Sequence, residues 1–274
     1  MKIGLVLAGG GGRGAYQIGV WKALRETGLE NSITSVSGTS VGALNGALFV
    51  QNDLDLAQNV WKSISTSKIL TSKFHTHHNF ARLSLFERDG LEKIIDDNLD
   101  MKCFDKSKLH CWVTCVCTDV FKRQNFNDKT YKYIDKNVEY FNLKYVKNNA
   151  TRKKIILATS AMPFAFPEET IEGHTYCDGG TRLRRSNNVP IKPLYEVDKC
   201  NIIFIVHLDK MDRPIKQKRF PNTTFFEIFP KHSMGNLWNA DGILDFTAKG
   251  AKRRMQQGYD DTYPIFQKIK YSLK

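Results

Sequence analysis

The pentapeptide Gly38-Thr39-Ser40-Val41-Gly42 restricts what this chain can fold into more than any other stretch. Before it runs Ile33-Thr34-Ser35-Val36, with the β-branched character of a strand. After it comes Ala43-Leu44-Asn45-Gly46-Ala47-Leu48-Phe49, an apolar run with the character of a helix. A serine at such a strand-to-helix turn sits on strained backbone, its hydroxyl pushed out where a substrate can reach it. Gly38 and Gly42 leave room where the strand hands over to the helix. The helix start adds N–H groups and the positive end of its dipole. The turn predicts an α/β fold with Ser40 as candidate nucleophile.

The N-terminal stretch extends this reading. Lys2 to Ala8 reads as a buried strand and Gly9-Gly10-Gly11-Gly12-Arg13-Gly14 as a loop. From Ala15 the chain reads as a helix, with Ile18, Trp21 and Leu24 at helical spacing and Gly28 as terminator. Strand, glycine loop, helix and strand make a β-α-β order, which calls for parallel neighbours and a right-handed crossover. The glycine loop and Ser40 then lie at the carboxyl ends of adjacent strands, where open α/β sheets place their sites. The loop fits G-x-G-x-x-G, but the next strand ends without an acidic residue for a ribose, and no Gly-Lys-Ser/Thr completes a P-loop. Consecutive glycine N–H groups at a helix start instead form a concavity for an anion. Beside a serine hydroxyl that is an oxyanion hole, whose donors are worth ~3–4 kcal/mol each to acyl transfer.

Composition narrows the class. The chain has 274 residues, 41% apolar and 25% charged, which suits a globular protein with a sizeable core. No apolar run approaches the ~20 residues that span a bilayer. The opening residues are too short for a signal segment and run straight into the glycines. Cys103, Cys111, Cys115, Cys117, Cys177 and Cys200 include no C-x-x-C pair, so reduced thiols in a cytosolic protein are expected. The formal charge of +13, with clusters such as Arg152-Lys153-Lys154 and Lys252-Arg253-Arg254, suits an anionic surface or plain solubility. No zinc-finger spacing or RNP-like sequence supports nucleic acid.

Along the rest of the chain, Asp53 reads as the N-cap of a helix through Lys62, and Ser63 to Phe86 as a loop or flap. His75-Thr76-His77-His78 lacks a carboxylate or cysteine at ligand spacing and reads as solvated loop. Leu91 to Leu99 is amphipathic. Leu109 to Val120 reads as a strand with Cys111, Val113, Cys115 and Cys117 on one core face, and Tyr131 to Ile134 as another. A helix ends at Lys154 to Ala161, and Pro163 and Pro167 predict an extended path after it. Asp178-Gly179-Gly180 puts an uncrowded acid on a turn. Asn201 to His207 reads as a buried strand, Lys210 to Gly235 as irregular with exposed Phe225, Phe226 and Phe229, and Ala240 to Gly258 as a helix.

Gly9 to Gly14, Gly38 to Gly42 and Asp178-Gly179-Gly180, with the Ala158-to-Pro167 block between, together resemble the patatin-like phospholipases in order and separation. The resemblance covers residues 1 to about 210. Residues 211–274 match nothing and are taken as the C-terminal part of a single domain, 1–274. It implies a three-layer α/β/α fold with a mostly parallel central sheet, and phospholipase A-type cleavage of lipid acyl esters by a Ser–Asp dyad. Carried onto this chain, Ser40 is the nucleophile and Asp178 its base, and backbone N–H groups of Gly10, Gly11, Gly12 and Arg13 hold the oxyanion. Gly9, Gly14, Gly38, Gly42, Gly179 and Gly180 shape these motifs. No metal or cofactor has a role in the pattern.

A carboxylate near its ordinary pKa of ~3.9 is a weak base for a hydroxyl, so such a dyad needs help from burial and the oxyanion hole. The expected partner is a phospholipid or other acyl-ester lipid at a membrane surface, with Arg182, Arg184 and Arg185 as candidates for contact with a lipid phosphate. A protein activator stays open. So does location: a cytoplasmic, membrane-peripheral protein is expected, with export lacking a cleaved signal as the other route. Two alternatives stand beside the dyad. The order Ser40, Asp178, then His207 or His232 also fits a Ser-His-Asp esterase. A lipid-binding protein of the same fold without turnover is the second.

Overall fold

The computed structural model describes residues 1–69, 71–72, 86–119, 131–163, 165–181, 186–235 and 242–272. In chain order its elements begin with β1 (Ile3–Leu7), α1 (Ala15–Thr27), β2 (Ile33–Thr39), α2 (Val41–Gln51), α3 (Leu54–Ser63) and the single turn α4 (Thr66–Ile69). A two-residue antiparallel pair, β3 (Thr71–Ser72) and β4 (Phe86–Glu87), precedes α5 (Asp89–Asn98) and the single turn α6 (Cys103–Lys106). Then follow β5 (His110–Cys117), β6 (Lys132–Asp135), β7 (Val138–Asn142), α7 (Asn149–Thr159), β8 (Glu169–Ile171) and β9 (His174–Asp178). The series closes with β10 (Ile202–Val206), β11 (Thr224–Ile228) and α8 (Ala248–Ser272).

The central sheet runs β11-β10-β1-β2-β5-β7-β6, parallel from β11 to β5 and antiparallel beyond. The β1–β2 pairing is the parallel neighbourhood that the opening β-α-β order predicts. β1 is buried on both faces, and each face has its own core. Ile3, Leu5 and Leu7 point into the larger one with residues of α1, α2, α7 and α8, whereas Val6 faces a smaller one. That smaller core is closed by Ile191 and a helical turn at Pro193–Val197. The result is three layers, the third only a turn thick.

Two glycines set the approach of α8 to α1. A Cβ on Gly19 would stand 1.9 Å from the Met255 carbonyl oxygen, and one on Gly258 would stand 2.1 Å from that of Tyr16. This contact corrects the reading of Gly258 as a helix end. The helix begins at Ala248, passes Gly258 and continues through Pro264 to Ser272, while Gly242 to Thr247 is irregular. The Gly258 carbonyl accepts from the Thr262 hydroxyl at 2.6 Å, so the backbone stays satisfied there.

Three further expectations change. The stretch from Lys210 to Gly235 contains β11, whose Phe226 is half-buried against Phe204 at 5.5 Å between ring centroids. The chain turns after Met162, the N–H groups of Ala165 and Phe166 both donating to the Met162 carbonyl, because proline suits the second position of a turn. A strand, β7, follows the one expected at Tyr131 to Ile134, where the sequence reading places none, and pairs with it antiparallel. Asp53 does cap α3, its side chain accepting from the Leu56 N–H at 2.8 Å. The cysteines along β5, Cys111, Cys115 and Cys117, are buried. His75, His77 and His78 lie outside the described residues.

Candidate active site

Ser40 occupies the N-cap of α2 with φ 55° and ψ −127°. Positive φ on a residue with a Cβ costs about 1–3 kcal/mol and persists only where the surroundings enforce it. They do so from three sides. The Ser40 N–H donates to the Thr159 hydroxyl at 2.8 Å, and that hydroxyl donates to the Thr114 carbonyl at 2.6 Å. The Ser40 carbonyl accepts from the N–H of Ala43 at 2.9 Å. A Cβ on Gly42 would lie 2.1 Å from the Leu7 carbonyl oxygen, and one on Gly38 2.4 Å from Gly42 backbone, so both positions need glycine.

β5 brings Asp178 to this serine. One edge of β5 pairs with β7 over Trp112 to Val116. The other edge pairs first with β2, as far as Thr39 opposite Thr114, and then with β9, where Asp178 stands opposite Cys115. Adjacent residues of one strand thus set the residue before Ser40 and the acid. The Asp178 carboxylate accepts from the Gly180 N–H at 2.7 Å, and the Ser40 side chain lies beside it, near enough to favour the ionised form. Burial pushes its pKa up from 3.8 to about 6, and the Gly180 hydrogen bond and the Ser40 side chain beside it hold it from going higher.

The glycine loop lies beside both. The N–H groups of Gly10 to Arg13 divide into two pairs. That of Gly12 donates to the Ile243 carbonyl at 2.7 Å, and that of Arg13 to the Gly10 carbonyl at 3.2 Å. Those of Gly10 and Gly11 have no partner among the described residues. Of the expected set Gly10 to Arg13, intramolecular carbonyls thus already occupy the N–H groups of Gly12 and Arg13. The Arg13 guanidinium reaches the Gly10 carbonyl at 3.4 Å and Asp209 at 3.0 Å.

Sequence reasoning missed Asn187 and Asn188. Asn188 and Gly9 exchange hydrogen bonds at 3.3 and 3.2 Å, the Asn188 carbonyl accepting from the Gly9 N–H and its side-chain amide donating to the Gly9 carbonyl. The Asn187 N–H donates to the Gly179 carbonyl at 2.8 Å, and the Asn187 carbonyl accepts from the Thr39 hydroxyl at 2.8 Å. The pair braces the glycine loop, the serine turn and the acid turn to one another. An Asn-Asn step before Val189-Pro190 is the one available signal, since asparagine competes well for backbone partners in turns.

Ser40, Asp178 and Gly11 line one cavity of about 140 Å³ whose other walls are almost wholly apolar. Leu44 and Leu48 of α2, Trp61 and Ile64 of α3, Leu91, Ile94 and Ile95 of α5, then Met162, Phe166, Ile243, Leu244 and Phe246 supply them. No histidine among the described residues lines it. His207, fully buried, sits between Asp212 at 3.3 Å and Glu227 at 3.0 Å and stacks on Phe229 at 4.1 Å. His232 is exposed. Arg182, Arg184 and Arg185 lie outside the described residues.

A family model described as Patatin-like phospholipase matches residues 5–195. Among curated relatives, lysophospholipase nte1 of Aspergillus terreus is 36% identical over 115 residues, which is 37% of this chain and 7% of that protein. Neuropathy target esterase sws of Drosophila melanogaster is 28% identical over 207 residues, 74% of this chain and 13% of the relative. The chain thus spans a small fraction of these relatives' length. Among solved structures, VipD from Legionella pneumophila superposes with a TM-score of 0.54 at 13% identity, covering 97% of this chain and 66% of VipD. That last likeness is one of fold.

Proposed function

Because the chain belongs to the patatin-like phospholipase family, we propose that it cleaves fatty-acyl esters of membrane lipids, with Ser40 as nucleophile and Asp178 as base. The meeting of these two side chains in one apolar cavity, beside the glycine loop, is the observation that carries the reading. The Ser40 hydroxyl attacks the ester carbonyl while Asp178 takes its proton. The Gly10 and Gly11 N–H groups receive the oxyanion. Collapse expels the lipid alcohol, which recovers the proton, and leaves an acyl-serine. Water, deprotonated by Asp178, then releases the fatty acid. A carboxylate with a pKa near 6 is a stronger base than an ordinary one and is still largely ionised at neutral pH. The names lysophospholipase and esterase carried by relatives agree with ester hydrolysis.

A histidine relay has less support, since both ring nitrogens of His207 face carboxylates of their own. Among the described residues no helix is long and apolar enough to cross a membrane. Access to lipid is proposed through peripheral contact, aided by the net charge of +13 at an anionic surface.

Fatty-acid release from mixed phospholipid vesicles tests this. Ser40→Ala and Asp178→Asn are expected to lose at least about a thousandfold in rate, whereas His207→Gln keeps its rate if folded. Loss in a folded His207→Gln would move the base to histidine. Wild type that releases no fatty acid from any vesicle would leave a lipid-binding protein of the same fold.

A further inference from the structure

The cavity wall nearest the glycine loop comes from Ile243 to Phe246, beyond the residues matched by the family model. This short segment is pinned at several points. The Ile243 carbonyl holds the Gly12 N–H at 2.7 Å, and the Leu244 carbonyl accepts from the Thr66 hydroxyl at 3.3 Å. The Phe246 N–H donates to the same hydroxyl at 3.3 Å, and the Phe246 ring stacks on Trp61 at 6.4 Å with 16° between planes. Asp245, between them, is buried against Arg254 of α8 at 2.8 Å. Ile243 also abuts the glycine loop: a Cβ on Gly11 would stand 2.7 Å from its Cγ2. The side chains of Ile243, Leu244 and Phe246 therefore line the same cavity as Ser40, from a backbone that is fixed.

We infer that Ile243 to Phe246 is the chain-length selector for the acyl group, Leu244 and Phe246 limiting the space open to it. The inference rests on the acyl-ester reading of the cavity. Each methylene removed from water is worth about a fourfold gain in affinity, so a wall that admits or refuses a few carbons resolves chain lengths sharply. Pinning matters because a wall free to move would refuse nothing.

The test is equilibrium binding of saturated fatty acids of eight to eighteen carbons, which needs no turnover. Wild type is expected to tighten with length to an optimum and then weaken. Phe246→Ala opens the wall and is expected to move the optimum to longer chains, the longest acids gaining roughly tenfold over the shortest. Leu244→Trp fills it and is expected to move the optimum to shorter chains by a similar factor. Should Phe246→Ala fail to fold, Phe246→Leu carries the same direction with a smaller shift. A general loosening would weaken all lengths in parallel. Parallel curves from folded variants, or a wild-type affinity indifferent to length, would overturn the inference. Length-dependent binding that shifts as stated, without fatty-acid release from phosphatidylcholine vesicles, would keep the selector and remove the hydrolase.

Discussion

Ser40 hangs its backbone on Thr159: its N–H donates to the Thr159 hydroxyl at 2.8 Å, and the same oxygen donates to the Thr114 carbonyl at 2.6 Å. One side chain thus ties the strained turn to α7 and β5 together. Thr159→Val keeps the shape and removes both bonds. Leaving a buried donor and acceptor unpaired costs about 1–3 kcal/mol, a fall of several degrees in melting temperature at this size. The vesicle rate is expected to fall with it, and Thr159→Ser to restore both. An unchanged melting curve for the valine variant would show that the turn holds itself.

Asp178 makes activity and stability move in opposite directions with pH. Its pKa rises from 3.8 to about 6 on folding, so the folded state binds that proton more tightly than the unfolded one. Activity needs the ionised form. The rate kcat/KM is expected to drop about tenfold per unit below pH 6. The contribution to stability is full below pH 3.8 and is lost as pH rises through about 6, a difference of about 3 kcal/mol. Asp178→Asn should accordingly melt later than wild type at pH 8, the gap closing below pH 4. Denaturant unfolding at both pH values reads this directly, and an equal gap at both would refute the buried-charge account.

Asn188→Ala removes one side-chain brace between the glycine loop and the chain after the acid turn. It is expected to lower kcat by about 10–100-fold, the cost of a catalytic group misplaced by about an ångström, with little change in KM. A loss confined to KM would place Asn188 in substrate binding instead.

Gly19→Ala and Gly258→Ala each put a methyl group onto the other helix's backbone, 1.9 Å and 2.1 Å from carbonyl oxygens. Backbone cannot rotate away as a side chain can, so each is expected to cost about 1–3 kcal/mol or more. Thermal unfolding checks it. Elsewhere in α8, at exposed Gln256, alanine should be neutral.

The parts of the site legible in the sequence were those written in local steric terms. Gly38, Ser40 and Gly42 announce a turn because only glycine fits against neighbouring backbone there, and β1, α1 and β2 follow from apolar spacing within one segment. Asp178 was legible as an acid on a glycine turn. That it meets Ser40 depends on β5 pairing with β2 and β9 along one edge, a register no local pattern encodes. The same limit hid β11, whose edge position leaves Phe225 and Phe226 only half-buried, and the end of α8, where Gly258 serves a helix crossing instead of a stop. That the Gly12 N–H is already occupied was out of reach, since its partner is a distant carbonyl at Ile243.

β1 is central, flanked by β2 on one side and β10 on the other, with Leu7 paired to both Gly38 and Val206. β2 follows β1 within a few tens of residues, whereas β10 comes close to two hundred residues later. At about 5–20 residues per second of synthesis, the second edge of β1 waits roughly 10–40 s for its partner. Through that interval the nascent chain carries an apolar, open strand edge at what will be the middle of its sheet. Its heaviest demand on chaperones therefore falls before β10 emerges, and substitutions that blunt the outer edge of β11 in the finished protein would do nothing to relieve it.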